Sequence, residues 1–93
     1  MSLKHSVPEY RITAAHVLGE RGSVAALPEF TRIIETEDDF YVVKEVLYAL
    51  LNIKDPMSVK LMKTATQHPS TLVSALAQKL LAKMETAAFK QLP

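Results

Sequence analysis

The 93-residue sequence contains no cysteine and no tryptophan, and it has only two glycines. The absence of cysteine excludes disulfide bonds, thiolate metal sites and a cysteine nucleophile, and it favours a cytoplasmic location. The scarcity of glycine, together with an apolar content of 48%, argues against a disordered chain. We therefore expect a single folded domain with a modest core of its own.

Long apolar runs and a strong net charge are also missing. No apolar stretch approaches the roughly 20 residues that a membrane-spanning helix needs, so we expect no membrane insertion. The net charge is only +1, whereas dedicated nucleic-acid-binding domains are strongly basic. The charges are nevertheless uneven, with six acids between residues 29 and 45 and five lysines between residues 54 and 83. This distribution predicts an acidic region and a basic region on the folded chain.

The two ends of the chain differ in character from its middle. The N-terminus lacks the basic and then apolar layout of a signal peptide, and residues 1–3 are typical of a cloning remnant. We therefore predict that residues 1–7 are a tag remnant or a disordered segment and that the domain spans residues 8–93. The end at Pro93 indicates a fragment or accessory domain of a longer protein.

Apolar residues recur at helical spacing along the chain and never alternate as in a strand, which predicts an all-α fold with five helices. The first helix begins at Pro8, and Gly19 and Gly22 are expected to end it. Ser23 is the expected cap of the second helix. Pro28 would lose a backbone hydrogen bond there, so an irregular opening or a later start is predicted.

Acidic residues precede the third predicted helix, where the positive end of the helix dipole stabilises them. These are residues 37–39, and the helix over residues 40–53 is the most apolar of the chain and the expected centre of the core. Asp55 and Pro56 are a cap and a first-turn proline that open the fourth helix. Its predicted buried residues are Val59, Met62 and Ala65.

The fifth predicted helix begins after the pair His68-Pro69, which ends the fourth helix. Ser70 or Thr71 is the expected cap. Its apolar residues are Leu72, Val73, Leu76, Ala77, Leu80 and Leu81. Residues 85–92 are either a continuation of this helix or the start of a truncated sixth helix.

The helices form an internal repeat. A shift of 32 residues places the apolar positions of the first helix on those of the third, and a further shift of 30 places them on those of the fifth. A generic four-helix bundle has no reason to repeat in this way. The repeat predicts an α-α superhelix, or solenoid, of about two and a half stacked antiparallel helix pairs. The predicted units are residues 8–37, 38–69 and 70–93, and the last unit is incomplete.

A motif in the first unit is similar to a known family. It comprises Tyr10-Arg11-x-x-Ala14-Ala15-x-Val17-Leu18-Gly19, then Gly22 and Ala26-Leu27-Pro28-x-Phe30. This pattern resembles the short bacterial HEAT-like repeat, a type also found in phycobilisome lyases, and the resemblance covers residues 8–84. It implies a helix-pair solenoid that binds other proteins. A lyase-related function is an alternative that it also implies, although no residue identifies a chromophore pocket.

Catalytic and metal-binding patterns are sparse. His5, His16 and His68 lie far apart in sequence and lack metal-ligand spacing, so each is expected at the surface or at a helix C-terminus. The acids at 37–39 lack the spaced oxygen ligands of a calcium loop and are better explained as capping residues. The His-Glu pairs of the HEAT-like iron hydroxylases are absent. We therefore predict no enzyme activity, no cofactor and no metal site.

The leading hypothesis is a non-catalytic scaffold that binds another protein along its second and fourth helices, which form one extended face in such solenoids. The candidate partner-binding residues, taken from positions outside the predicted core, are Glu29, Arg32, Glu35, Lys60, Lys63, Thr64 and Gln67. The charge along this face changes from mixed or acidic to basic. Electrostatics would therefore set the orientation of the partner more than its affinity.

Two further hypotheses concern other partners. Weak, sequence-independent nucleic-acid binding would use a lysine patch, although the patch lacks arginines and aromatic residues. Its members are Lys54, Lys60, Lys63, Lys79 and Lys83. Formation of a homodimer would use outward tyrosines and the apolar flank of the fifth helix, which no complete following unit covers. Those candidate self-association residues are Tyr41, Tyr48, Leu72, Leu76 and Leu80.

Overall fold

The computed structural model describes residues 7–53 and 55–90, with side chains described as far as Thr86. This part of the chain contains five α-helices and no strand, which confirms the predicted all-α class. The helices are α1 (Pro8–Glu20), α2 (Leu27–Thr36), α3 (Phe40–Asn52), α4 (Pro56–Ala65) and α5 (Thr71–Lys90). The prediction for residues 1–7 falls almost entirely on residues outside the described part.

The helices form two layers. α1, α3 and α5 lie side by side in one layer, and α2 and α4 lie next to each other in the second layer. α3 contacts all four other helices, as expected for the centre of the core. The core side chains of α3 are Val42, Val43, Val46, Leu47, Ala49 and Leu50, all of them buried. This arrangement is that of the predicted helical solenoid. None of the described helices is long and apolar enough to cross a bilayer.

The close packing of α1 against α3 depends on Gly19. The prediction that Gly19 ends the first helix is wrong, because α1 continues to Glu20 and Gly19 is buried within it. A Cβ atom built on Gly19 would lie 2.7 Å from both Cα and Cβ of Ala49. Real Cβ atoms do not make contacts that short. Only glycine fits at this position, because Ala49 of α3 occupies the space that a side chain would need.

Gly22 ends α1, as predicted. Its φ of 63° lies in the left-handed region, which glycine adopts without steric cost. The Gly22 N–H donates to the Gly19 carbonyl oxygen at 3.0 Å, and the Ser23 N–H donates to the Leu18 carbonyl oxygen at 3.1 Å. These two bonds form a Schellman motif, which satisfies carbonyl groups that the last turn of a helix otherwise leaves without donors.

The start of α2 is irregular, which confirms the effect predicted for Pro28. A short 3-10 helix over Val24–Ala26 comes first, and Pro28 then lies in the opening turn of α2, where its missing N–H costs little. The expectation that Ser23 caps α2 is wrong. Ser23 precedes the 3-10 helix, and its side chain makes no capping hydrogen bond there.

The caps of α3 and α4 agree with the predictions. A carboxylate oxygen of Asp39 accepts hydrogen bonds from the Tyr41 and Val42 N–H groups at 2.8 and 3.3 Å. The Asp55 carboxylate accepts a hydrogen bond from the Met57 N–H at 2.9 Å. Each acid thereby satisfies donors that the first helical turn cannot pair internally.

The remaining boundaries differ from the predictions only in detail. α4 ends at Ala65, before His68, and Val59 is half-buried, whereas Ser58 and Leu61 are buried. The hydroxyl of Ser58 makes no hydrogen bond with any described residue. The fifth helix follows Ser70 and continues to Lys90, so residues 85–90 extend it and do not start a sixth helix. Residues 91 and 92 lie outside the described part.

Candidate functional site

The predicted partner-binding residues all lie in the second layer, on α2, on α4 or in the turn after α4. Glu29 is half-buried, and the other six are exposed: Arg32, Glu35, Lys60, Lys63, Thr64 and Gln67. Because α2 and α4 are neighbours, the structure brings the two halves of the set into one region of the surface. The opposite sides of both helices supply core residues such as Phe30 and Met62.

The charges on α2 are partly neutralised. Both Nε and a terminal nitrogen of Arg32 lie 2.6–2.7 Å from one carboxylate oxygen of Glu29. Glu35 makes no ion pair with any described residue, and the same is true of Lys60 and Lys63 on α4. The charges available to a partner are therefore an acid on the last turn of α2 and two lysines on α4.

A groove opens between the C-terminal ends of α2 and α4, and its cavity volume is about 410 Å³. We call it the α2–α4 groove. It is lined by Ile34, Glu35, Thr36, Glu37, Asp38, Thr64, Gln67, His68 and Pro69. Glu35, Thr64 and Gln67 belong to the predicted face. Of the other lining residues, Ile34 and Thr36 belong to the last turn of α2, and the rest come from the turns after α2 and α4. The turn residues were missed because their spatial proximity is not evident from helical periodicity.

His68 links the two walls of the groove. Its Nε2 lies 3.0 Å from the carbonyl oxygen of Ile34, and its Nδ1 lies 2.9 Å from the Ser70 backbone nitrogen. The neutral tautomer assigned from these bonds carries its proton on Nε2, donates to Ile34 and accepts from Ser70. His68 is half-buried and follows the end of α4, where its backbone N–H donates to the Ala65 carbonyl oxygen at 3.1 Å. Of the two locations expected for it, the surface and a helix C-terminus, the structure agrees with the second. With both nitrogens occupied, this histidine has a positioning role.

A second link joins α1 to the turn before α3. A terminal nitrogen of Arg11 lies 2.9 Å from a carboxylate oxygen of Glu37, and both side chains are about seven-eighths buried, with 14% and 13% of their surface exposed. The same oxygen accepts a hydrogen bond from the Asp39 N–H at 3.2 Å. Glu37, which lines the α2–α4 groove, is therefore held in place by two polar contacts. The pair of Arg11 and Glu37 could not be predicted from a local pattern, because its two residues are separated by 26 positions.

His16 forms an exposed cluster with two carboxylates on the layer of α1, α3 and α5, as expected for a surface histidine. Nδ1 lies 2.8 Å from Glu45 on α3, and Nε2 lies 3.0 Å from Glu20 on α1. The hydrogen bond with Glu45 and the negative charge of Glu20 raise the pKa of His16 above its usual value of about 6.5. Protonation of His16 therefore strengthens a contact between α1 and α3.

This cluster predicts a pH dependence of stability. A raised pKa in the folded state means that the contribution of His16 is complete below about pH 6.5 and is lost as the pH rises through the folded-state pKa. We expect the melting temperature of the wild-type chain to fall more between about pH 6 and pH 8 than that of His16→Gln. Thermal unfolding followed by circular dichroism measures both slopes. His16→Gln leaves His68 in place, so a difference between the two slopes reports on His16. Equal slopes for the two chains would contradict the stabilising role assigned to protonated His16.

The described residues contain no group of three or more His, Asp or Glu side chains that could hold a metal ion. The lysines of the predicted nucleic-acid patch are divided between the layers, with Lys60 and Lys63 on α4 and Lys79 and Lys83 on α5. Lys54 lies outside the described part. The structure therefore does not join these lysines into a single stripe along one helix.

The candidate self-association residues differ in exposure. Tyr41 is 66% exposed and Leu72 is 63% exposed, whereas Tyr48 and Leu76 are half-buried against the core. Leu80 is fully buried, so the expectation that it lies on an uncovered flank of the fifth helix is wrong. Leu80 shares one face of α5 with Val73 and Ala77, which are also buried, and α5 packs against both α3 and α4.

Comparison with known proteins agrees with this architecture. The profile of HEAT repeats matches residues 2–82, which is most of the chain. HEAT repeats generally mediate protein–protein interactions, and the family is typically a non-catalytic scaffold. No curated protein and no solved structure matches the chain. Because the match spans both complete helix pairs and most of α5, the chain belongs to the HEAT-repeat family.

Proposed function

We propose that this protein is a non-catalytic scaffold that binds another protein along α2 and α4. The observation that supports this most is the exposure of polar residues on both helices beside the open α2–α4 groove. A polar, ordered surface of this kind suits a partner that must be released again, since reversible interfaces are less apolar than permanent ones. The cytoplasm is the proposed location, because disulfide bonds are rare in that reducing compartment and this sequence has no cysteine.

The alternatives have less support. A nucleic-acid duplex would require several lysines on one continuous surface, and the described lysines belong to two layers. Retention on heparin above about 0.3 M salt would favour nucleic acid, and elution at low salt would favour a protein partner. For a lyase-related function, the lining of the groove includes three acids and no phenylalanine, tyrosine or tryptophan that could stack on a chromophore.

Site-specific photo-crosslinking tests the proposal. A photoreactive amino acid is placed at Lys63 or Arg32 on the proposed face, and at Thr13 on α1 as an exposed control outside it. We expect a discrete protein adduct from the first two positions in cells of the source organism, identified by mass spectrometry, and none from Thr13. Adducts that are equally frequent at all three positions would contradict the proposal, as would the complete absence of adducts.

A further inference from the structure

The walls of the α2–α4 groove are fixed before any partner arrives. His68 joins the end of α2 to the turn that precedes α5 through its bonds to Ile34 and Ser70. A terminal nitrogen of Arg11 lies 2.9 Å from the carboxylate of Glu37, another residue of the lining, and holds it in place. A side chain that enters this groove would not have to order its walls, and binding would avoid that entropic cost.

The charge of the groove is negative. Glu35 and Asp38 are exposed and make no ion pair with any described residue, whereas Glu37 is already paired with Arg11. No lysine or arginine is among the residues that line the groove. Two carboxylates are therefore available to a ligand, with no cation in the lining to compete for them.

Hydrogen-bond donors in the lining are largely engaged, whereas acceptors remain available. The hydroxyl groups of Thr36 and Thr64 donate to carbonyl oxygens of their own helices at 2.8 and 3.1 Å, and the N–H of His68 donates to Ile34. α2 ends at the groove, and the carbonyls of its last turn carry partial negative charge. The carbonyl oxygens of Glu35 and Thr36 accept no hydrogen bond from a described residue.

We infer that the α2–α4 groove binds an arginine side chain of the partner protein. This inference rests on the proposed function, because it specifies the chemistry of the partner at one part of the proposed face. A guanidinium has five hydrogen-bond donors and no acceptor. Because these donors point in several fixed directions, one arginine can bond to carboxylate and carbonyl oxygens at the same time, which suits this groove better than the compact ammonium of lysine. Ile34 and Pro69 provide apolar surface for the methylene stem.

The size of the groove agrees with this ligand. Its volume of about 410 Å³ lies within the range of pockets that enclose small organic groups, and it exceeds what a single bound ion needs. The described residues also lack a converging group of metal ligands. An organic cation presented by a peptide therefore fits the groove better than a free metal ion does.

Nuclear magnetic resonance titration tests the inference with a defined probe. The ¹⁵N-labelled protein is titrated with the peptide acetyl-Ala-Ala-Arg-Ala-Ala-amide, and in parallel with the same peptide containing citrulline, which has a similar shape but no charge. We expect saturable shifts at the amides of residues 34–38 and 67–70, with a dissociation constant on the order of 1 mM for a single anchoring residue. The citrulline peptide should cause no saturable shift. Equal responses to both peptides, or no response to either, would overturn the inference.

A pair of charge-matched variants separates local binding from general electrostatic attraction. Glu35→Gln with Asp38→Asn removes two acids from the groove, and we expect the affinity for the arginine peptide to fall by about fivefold. Glu9→Gln with Glu85→Gln removes two exposed acids outside the groove and should leave the affinity unchanged. If both double variants weaken binding equally, the peptide responds to net charge and the inference fails.

The two proposals can fail separately. If crosslinking identifies a partner at the α2 and α4 positions but the arginine peptide does not bind, the scaffold proposal stands and the arginine inference is overturned. If no position yields a partner, the proposed function itself fails, whatever the peptide does.

Discussion

Replacing Leu80 by alanine is expected to lower the free energy of unfolding by about 2–5 kcal/mol. Leu80 is fully buried and packs in the core, so the shortened side chain leaves a cavity that the surrounding helices fill only in part. A domain of this size has a total stability of about 5–10 kcal/mol, so the variant should melt far below the wild-type chain. Urea denaturation followed by circular dichroism at 222 nm gives the value directly.

Leu72→Ala is the matched control on the same helix. Leu72 is 63% exposed, and alanine is the better helix former, so the stability should change by less than about 0.5 kcal/mol. The pair also tests the homodimer hypothesis, because light scattering on the Leu72 variant should show loss of any dimer that uses this residue. A large loss of stability in Leu72→Ala, or a small one in Leu80→Ala, would contradict the assigned orientation of α5.

Replacing Gly19 by leucine is expected to destabilise the chain by about 3 kcal/mol or more, and Gly19→Ala by about 1–2 kcal/mol. Both substitutions force side-chain atoms into the backbone of Ala49, because even the first carbon would lie 2.7 Å from its Cα. Alanine and leucine favour helix over glycine by up to about 1 kcal/mol, so propensity alone predicts the opposite sign. Chemical denaturation of the three chains measures the order.

The double variant Gly19→Ala with Ala49→Gly serves as a control for the α1–α3 contact. It removes one of the two short contacts, with Cβ of Ala49, and leaves the contact with Cα. We therefore expect it to recover part of the stability lost in Gly19→Ala, allowing for the cost of a new glycine within α3. Gly19→Ala with wild-type or higher stability would show that the two helices can separate at no cost.

Much of the fold could be predicted because it depends on local patterns. The caps at Asp39 and Asp55, the irregular opening caused by Pro28 and the central position of α3 follow from residue type and helical periodicity. The repeat of about 30 residues then fixed which helices are neighbours. These features require no knowledge of how closely any two helices approach each other.

The errors at Gly19 and Leu80 have a common cause. A glycine near the end of a helical pattern indicates either a helix end or a close helix contact, and only the distance to Ala49 distinguishes them. Leu72 and Leu80 belong to the same apolar pattern, yet one is exposed and the other is fully buried. Burial on α5 is decided by the positions of α3 and α4, which the periodicity of α5 does not contain.

The candidate site was predicted only in part for a similar reason. The exposed residues of α2 and α4 could be predicted, because the spacing of the apolar residues in each helix shows which side faces the core. The groove depends on the turns around Glu37 and His68, which are fixed by the contacts of Glu37 with Arg11 and of His68 with Ile34. Those pairs are separated by 26 and 34 residues, beyond the reach of any local pattern.

The contact of α3 with every other helix affects how the chain comes apart. Long repeat arrays can lose an end unit while the rest stays folded, because each unit touches only its neighbours. In the described part of this chain every other helix contacts α3 directly. No helix pair can therefore open without exposing core residues of α3. Amide hydrogen exchange should therefore show a similar slowest rate in α1, α3 and α4, which is the signature of a single cooperative unit.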